Sequence, residues 1–329
     1  MWSAMTDRPL LVLAPMDDVT DSVFRQVVAA CAPPDVFFTE FVNVDGLQSP
    51  GRPKLLKKLR FTPQESPLVA QLWGREPDNY RQTARQIADG TFARELGLPS
   101  DVNFAGIDIN MGCPVKVVVN NGCGSGHIRD RAKAEAIIRA VQEGADGRLP
   151  VSVKTRVGFN TVDMSWIEWL LGQNLDVLTV HGRTRKQMSA VPADWELIGR
   201  ARQLRDALKV NTLIIGNGDV ASRKHGLALA ARYGLDGVMI GRGIFSDPFV
   251  FAANSPWAQY DSQQKAALFR RHIELFAETW QGRERPVQTL NKFCKVYIND
   301  FDDAKHWREQ LMQAQSTDEL LATLNRLAA

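Results

Sequence analysis

The sequence predicts a (β/α)8 barrel of the TIM type that carries a C-terminal helical bundle. Eight short β-rich runs recur at intervals of roughly 25 to 45 residues, with helix-like stretches between most of them. The final segment of about 70 residues shows only helical apolar spacing. The runs are Leu10–Met16, Val36–Phe41, Leu68–Gly74, Gly106–Met111, Val151–Val157, Val177–Gly182, Thr212–Gly216 and Gly237–Gly241. Eight strand–helix units over about 250 residues match the count and size of such a barrel. A doubly wound sheet is the alternative. Ile214 to Ala221 reads as a strand followed by G-x-G-x-x-A, with Asp236 downstream as a candidate ribose acid. That motif opens dinucleotide folds, whereas here it falls in the seventh of eight units.

The barrel is expected over residues 1–255 and the helical domain over 256–329. Ser255-Pro256 and Asp261-Ser262 read as a linker and a helix start. Phe269, Ile273, Phe276 and Trp280 then recur at i, i+4, i+7 and i+11, with Gly282 as the stop. Leu290, Phe293, Cys294, Tyr297 and Ile298 give a second amphipathic helix after Pro286, and Ala304, Trp307 and Leu311 a third. Ser316-x-x-Glu319 is a capping box that opens a fourth, around Leu320, Leu321, Leu324 and Leu327.

Composition narrows the class. The 329 residues include 40 Lys+Arg against 37 Asp+Glu, a net charge of only +3, so charge alone does not announce a nucleic-acid binder. With 23% charged and 44% hydrophobic residues, the chain reads as soluble and globular. No apolar run approaches the ~18 residues of a membrane span. Leu10–Met16 is too short for a signal peptide and runs into Asp17 and Asp18. Cys31, Cys113, Cys123 and Cys294 form no C-x-x-C pair, which points to a reducing cytoplasm.

In a barrel the chemistry lies at the C-terminal strand ends. The fifth run alternates Val151, Val153, Thr155 and Val157 with Ser152, Lys154 and Arg156, so the second set faces the axis. An inward lysine needs an anion, because desolvating an unpaired ammonium is costly; a structural Lys–Asp pair is the plainer reading. Gly216-Asn217-Gly218-Asp219 and Gly241-Arg242-Gly243 end the seventh and eighth runs, where barrels commonly bind phosphate. With Gln71 and His181 on other strand ends, a mononucleotide such as FMN suits this constellation, and a phosphosugar fits the clamp on spacing alone. Cys113, in Asn110-Met111-Gly112-Cys113-Pro114, lies on a Gly/Pro loop at the mouth, where a thiol of pKa about 8.5 stays protonated and can donate a proton. Cys31 and Cys294 read as small buried apolar groups and Cys123 as loop filler. His127, His225, His272 and His306 show no metal spacing.

These motifs resemble one family, the flavin-dependent tRNA-dihydrouridine synthases. Ala14-Pro15-Met16 with Val19-Thr20-Asp21 and Phe24-Arg25, Gln71-Leu72-Trp73-Gly74, and Asn110-x-Gly112-Cys113-Pro114-x-Lys116 match its pattern in order. So do His181-Gly182-Arg183-Thr184-Arg185-x-Gln187 with Ala193-Asp194-Trp195, then Asn217-Gly218-Asp219 and Asp236 to Gly243. The resemblance implies FMN held by Pro15, Met16, Asp17, Gln71, Lys154, His181, Asn217, Gly218, Asp219, Gly241 and Arg242, with NADPH as the transient reductant. It implies hydride delivery from the flavin to C6 of a D-loop uridine while Cys113 protonates C5. Asn110 would seat the uracil, and Lys116 and Arg183 would lie where RNA approaches. Three positions depart from the family: Asp18 and Met188-Ser189 replace a usual Gly and Gly-Tyr, and Val117-Val118-Val119 replaces a more polar stretch. Thr39-Glu40-Phe41-Val42 resembles the subfamily acting on position 16 of the D-loop, yet Asn43 follows where that subfamily tends to have Arg.

RNA binding needs local rather than global positive charge. The tail has ten Lys/Arg and ten Asp/Glu, with Lys292, Lys295 and Asn299 on one face and Arg270-Arg271 as a second cluster. Arg183, Arg185 and Lys186 mark the barrel rim, and Lys54, Lys57, Lys58 and Arg60 read equally well as a solvated face. The expected protein is a monomer acting on tRNA. The rival readings are a flavin barrel reducing a free pyrimidine, as dihydroorotate dehydrogenases do, and an RNA-binding paralogue without catalysis.

Overall fold

The computed structural model describes residues 8–280 and 284–328. The helix stop expected at Gly282 lies outside them. Contacts divide the chain into two compact units. One contains the residues up to Ser22 and Pro34–Gly241, the other Val23–Pro33 and Arg242 onward. The expected division at 255 thus falls within the second unit, which also takes a helix from near the N-terminus.

The first unit is a parallel barrel of nine strands: β1 (Leu10–Leu13), β2 (Phe37–Phe38), β3 (Val42–Asn43), β4 (Leu68–Trp73), β5 (Gly106–Met111), β6 (Val151–Arg156), β7 (Val177–His181), β8 (Leu213–Asn217) and β9 (Gly237–Ile240). The pairing order runs β1-β9-β8-β7-β6-β5-β4-β2. A bridge between Val12 and Val36 brings the two ends together, which rules out the open doubly wound sheet. Asp236, the candidate ribose acid, accepts instead from Arg205 Nη1 at 2.8 Å and from the Ile214 N–H at 2.7 Å.

The second expected run, Val36–Phe41, is strand only at β2, and β3 follows just beyond it; the two pair with opposite ends of β4. The Gln71 N–H between them donates to Thr39 Oγ1 at 3.0 Å, so a hydroxyl takes the place of a ladder carbonyl. Inside the barrel Leu10, Val12, Phe38, Val69, Val177, Ile215 and Met239 form one buried cluster. The alternation expected in β6 holds: Thr155 Oγ1 accepts from Trp166 Nε1 of the helix Met164–Leu171 at 2.9 Å, while Ser152 donates inward to Asp108.

The second unit is helical, with Ser22–Cys31, Ser262–Trp280, Asn291–Tyr297, Ala304–Gln313 and Thr317–Ala328. Its core is aromatic. Phe24 stacks on Phe293 at 5.0 Å and Phe269 on Tyr297 at 4.9 Å, contacts worth about 0.5–1.5 kcal/mol each beyond area burial. These contacts draw Val23–Pro33 into this unit. The capping box forms with one change: the Glu319 N–H donates to Ser316 Oγ at 3.2 Å, but the Glu319 carboxylate accepts from the Gln315 N–H.

His272 sits among these rings with Nδ1 3.0 Å from Tyr297 Oη. Burial pushes its pKa down to about 3. An unfolded histidine titrates near 6.5, so between about pH 6.5 and 3 the unfolded chain binds the extra proton and stability falls with falling pH. The fully exerted slope is about 1.4 kcal/mol per pH unit. Urea unfolding between pH 7 and 5 should show this loss, and His272→Phe should lessen the pH dependence. An unchanged slope in the variant would refute the assignment.

Candidate active site

A buried chain of hydrogen bonds crosses β6, β5 and β4 beneath the mouth of the barrel. Ser152 Oγ donates to Asp108 Oδ1 at 2.5 Å, and Gln71 Nε2 to Asp108 Oδ2 at 2.7 Å. Asn110 Nδ2 donates to Gln71 Oε1 at 3.1 Å, and Asn110 Oδ1 accepts from the N–H groups of Gly112 and Cys113 at 3.2 and 2.9 Å. All four side-chain partners are buried. Asp108 was not among the expected site residues. The alternation Gly106-Ile107-Asp108-Ile109-Asn110-Met111, read as that of β6 was, places Asp108 and Asn110 on the inner face.

Cys113 is locked from both sides. Its carbonyl accepts from Ser125 N at 3.0 Å and Ser125 Oγ at 2.9 Å, and the Gly112 carbonyl accepts from Arg156 Nε at 2.8 Å. Gly124 has φ 56°, and a Cβ there would lie 2.8 Å from the Cys113 carbonyl oxygen; only glycine fits this approach. Burial raises the half-buried Cys113 thiol above its usual range, so it is protonated at neutral pH. Cys123 is a filler as expected: it is buried and its Sγ donates to the Gly74 carbonyl at 3.0 Å.

Lys154 lies on the inner face of β6, in register with Asn110. Burial and the neighbouring Arg156 pull its ammonium down to about 8, opposed by Asp108 and Cys113. Burial in turn pushes the Asp108 carboxyl up to about 6, against the hydrogen bonds and Lys154. Lys154 Nζ makes no hydrogen bond or ion pair with a described residue, so its charge is available to an incoming anion.

The other expected cofactor residues of the first unit line the same end of the barrel. Met16 is held by Thr20, which accepts from its N–H at 2.9 Å, and Asp17, next to Pro15 and Met16, pairs with Lys58. Asn217 Nδ2 donates to the Met239 carbonyl at 2.9 Å. Gly218 has φ 134°, and a Cβ there would collide with Ala193. Gly241 brings bare backbone beside Ala14 and Met16, and Arg242 opens the second unit in a 3-10 turn. Gln71 and Asn110, expected to face the flavin and the uracil, direct their amides mainly into the buried chain.

Arg183 departs furthest from its expected place. It is buried; Nε donates to the Val191 carbonyl at 2.6 Å, Nη1 lies 3.3 Å from His181 Nε2, and Nη2 donates to Asp219. It is an internal strut rather than an RNA contact, and Asp219, which also accepts from the Ala193 N–H, is its counter-charge. Lys116 is exposed, and so are Lys292 and Lys295 on the side of their helix away from Phe293 and Tyr297. Arg185 lies over Phe159. Asn43 caps the short helix Val44–Leu47 through Gly46 N. A cleft of about 600 Å3 lined by Asn174, Asp176, Lys209 and Asn211 lies at the opposite, N-terminal strand ends.

A family model described as dihydrouridine synthase matches residues 12–329. The chain belongs to that family. It is 45% identical over 322 residues to the probable tRNA-dihydrouridine synthase 2 of Bacillus subtilis (strain 168), covering 97% of this chain and 94% of that protein. It is 43% identical over 332 residues to the probable tRNA-dihydrouridine synthase of Staphylococcus aureus (strain COL), covering 100% and 95%. Among solved structures, histamine dehydrogenase from Rhizobium sp. 4-9 shares the fold at 11% identity, with a TM-score of 0.52 over 80% of this chain and 48% of that one. No helix among the described residues is long and apolar enough to cross a membrane.

In this family member Asn110→Ala would leave the Gln71 oxygen and two backbone N–H groups unpaired. It should cost about 1–3 kcal/mol in urea unfolding, whereas the exposed Lys116→Ala should stay within about 0.5 kcal/mol. Equal effects would remove Asn110 from the network.

Proposed function

We propose that this chain reduces the C5–C6 bond of a D-loop uridine in tRNA to 5,6-dihydrouridine, with FMN as its flavin, NADPH as reductant and Cys113 as proton donor. The observation that carries the reading is a protonated, half-buried thiol near an inward-facing lysine at the mouth of a dihydrouridine-synthase barrel. The residues fit an anionic flavin. Lys154 Nζ has no hydrogen bond or ion pair with a described residue, and Gly218 and Gly241 offer bare backbone at the ends of β8 and β9 for a phosphate. When bound, the reduced flavin supplies the hydride to C6 of the uracil ring.

The protein's own residues do the rest. Lys154 balances negative charge through space, at a distance from bulk water that strengthens the interaction. Cys113 Sγ holds the second hydrogen and passes it as a proton to C5, and the Asn110, Ser125 and Arg156 contacts keep its loop from drifting. A uridine can reach this depth only when it leaves its stack, so the substrate is an extruded loop base. The helical unit, through Lys292 and Lys295, grips the tRNA body, and the chain works as a monomer. The named relatives favour tRNA over a free pyrimidine, and Cys113 with Lys154 in place favours a working enzyme over an inactive paralogue.

Cys113→Ala should keep NADPH-driven bleaching of the flavin and lower dihydrouridine formation by about 100-fold or more. Undiminished product would remove Cys113 from the mechanism. Mapping dihydrouridine in tRNA from a strain lacking this gene tests the substrate, since modification unchanged at every position would refute it. Purified protein that is colourless and takes up no FMN would overturn the flavin assignment.

A further inference from the structure

Seven large apolar residues are strongly exposed among the described residues, and five of them gather on three neighbouring loops: Val115 (51%) and Val117 (68%) after β5, Val162 (45%) after β6, and Met188 (48%) and Val191 (40%) after β7. The loops are tied together. Arg156 reaches the carbonyls of Gly112, Thr184 and Met188, and the N–H groups of Arg185 and Lys186 donate to the carbonyls of Gly158 and Phe159, both at 2.9 Å. Met188 is held at φ 49°, a left-handed conformation that is unfavourable for a non-glycine residue. The fold thus tolerates strain where a long apolar side chain is presented to solvent.

Cations are interleaved with these apolar groups. Phe159 carries the guanidinium of Arg129 at 4.1 Å and that of Arg185 at 5.3 Å from its ring centroid. Lys116, Arg129, Arg185 and Lys186 make no ion pair with a described residue, and Arg185 Nε is buried without a hydrogen-bond partner. The nearest acids in the sequence, Asp130, Asp163 and Asp194, accept from the N–H groups of Lys133, Trp166 and Leu197, each capping the helix that follows. The rim therefore presents unneutralised positive charge beside a half-buried aromatic ring and an apolar lip.

We propose that this rim is a platform for unstacked nucleotides flanking the reduced uridine, with Phe159 and the lip formed by Val117 and Met188 taking base faces and Arg129, Arg185 and Lys186 taking phosphates. An interface between copies of the chain about a two-fold axis would set this cation-rich rim against itself, whereas single-stranded RNA supplies phosphates and π-faces in alternation. The departures at Val117 and Met188-Ser189 then put apolar contact at Val117 and Met188, where the resemblance implies a polar stretch and a Gly-Tyr pair. This inference rests on the tRNA reading above.

The test is tRNA binding at about 0.1 M salt by wild type, Phe159→Ala, Phe159→Trp and the double variant Arg129→Ala/Arg185→Ala, each checked for a cooperative thermal transition. Phe159→Ala should weaken binding about tenfold with the salt dependence unchanged, and Phe159→Trp should restore it. The double variant should also weaken binding and lower the slope of log K against log salt by about 1 to 2. Wild type that reduces tRNA while all variants bind equally well would overturn the platform alone. Wild type that neither binds nor reduces tRNA would overturn the functional reading and the platform together. A concentration-dependent dimer that the variants abolish would make the rim a contact between copies and refute the RNA assignment.

Discussion

Asp108 is a carboxylate enclosed by the barrel, and the mouth is organised by how its two oxygens are satisfied. Burying a charge without partners costs several kcal/mol, so Ser152 on β6 and Gln71 on β4 are held to it from opposite sides. Gln71, fixed at one end, orients Asn110, and Asn110 grips the N–H groups of Gly112 and Cys113. Cys113 therefore takes its position from three adjacent strands as well as from Ser125 on its own loop. Lys154 shares the field of the same carboxylate without a bond to it. Asp108 thus makes a buried lysine tolerable while leaving its ammonium free for an anion.

The arginines divide into two kinds. Arg156 and Arg183 are buried and donate to the carbonyls of loops that follow β5 and β7. A guanidinium suits this task because its five N–H groups can satisfy several chain segments at once. Arg129 and Arg185 instead lie against Phe159, and Lys186 is exposed, none of them in an ion pair with a described residue. The first pair shapes the rim and the second group charges it. A net charge of only +3 is compatible with both, since acids elsewhere cap helices or pair with surface lysines and arginines.

Three of the eight non-glycine residues with positive φ among the described residues lie at the mouth of the barrel. Asp18, Met188 and Asp219 all adopt positive φ, and at the first two of these the family usually has glycine. Asp18 and Asp219 are anchored, Asp18 through its N–H to Glu40 and Asp219 through its carboxylate to Arg183, and aspartate tolerates the left-handed region better than most residues. Met188 is held by its backbone alone: its N–H donates to the Arg185 carbonyl and its carbonyl accepts from Arg156. Strain that persists at a functional edge is held there by the surrounding structure.

The alternation of strands and helices, the inward face of β6, the mouth location of Cys113 and the four tail helices follow from periodicity and capping, which are local properties of the chain. Phe269, Ile273, Phe276 and Trp280 mark a buried helix face without reference to anything distant, and Lys154 and Ser152 show their side of the strand by parity alone. The interruption of the second strand was decided by Thr39, whose hydroxyl finds the Gln71 N–H 32 residues away. The transfer of Val23–Pro33 to the helical unit was decided by the stacking of Phe24 on Phe293. The roles of Arg183 and Arg185, two residues apart and identical in type, separated because only one met Asp219 and the Val191 carbonyl. Sequence determines which face a side chain occupies, because that depends on the residue and its neighbours; which partner it meets depends on loops folding back from far along the chain, and only the tertiary structure decides that.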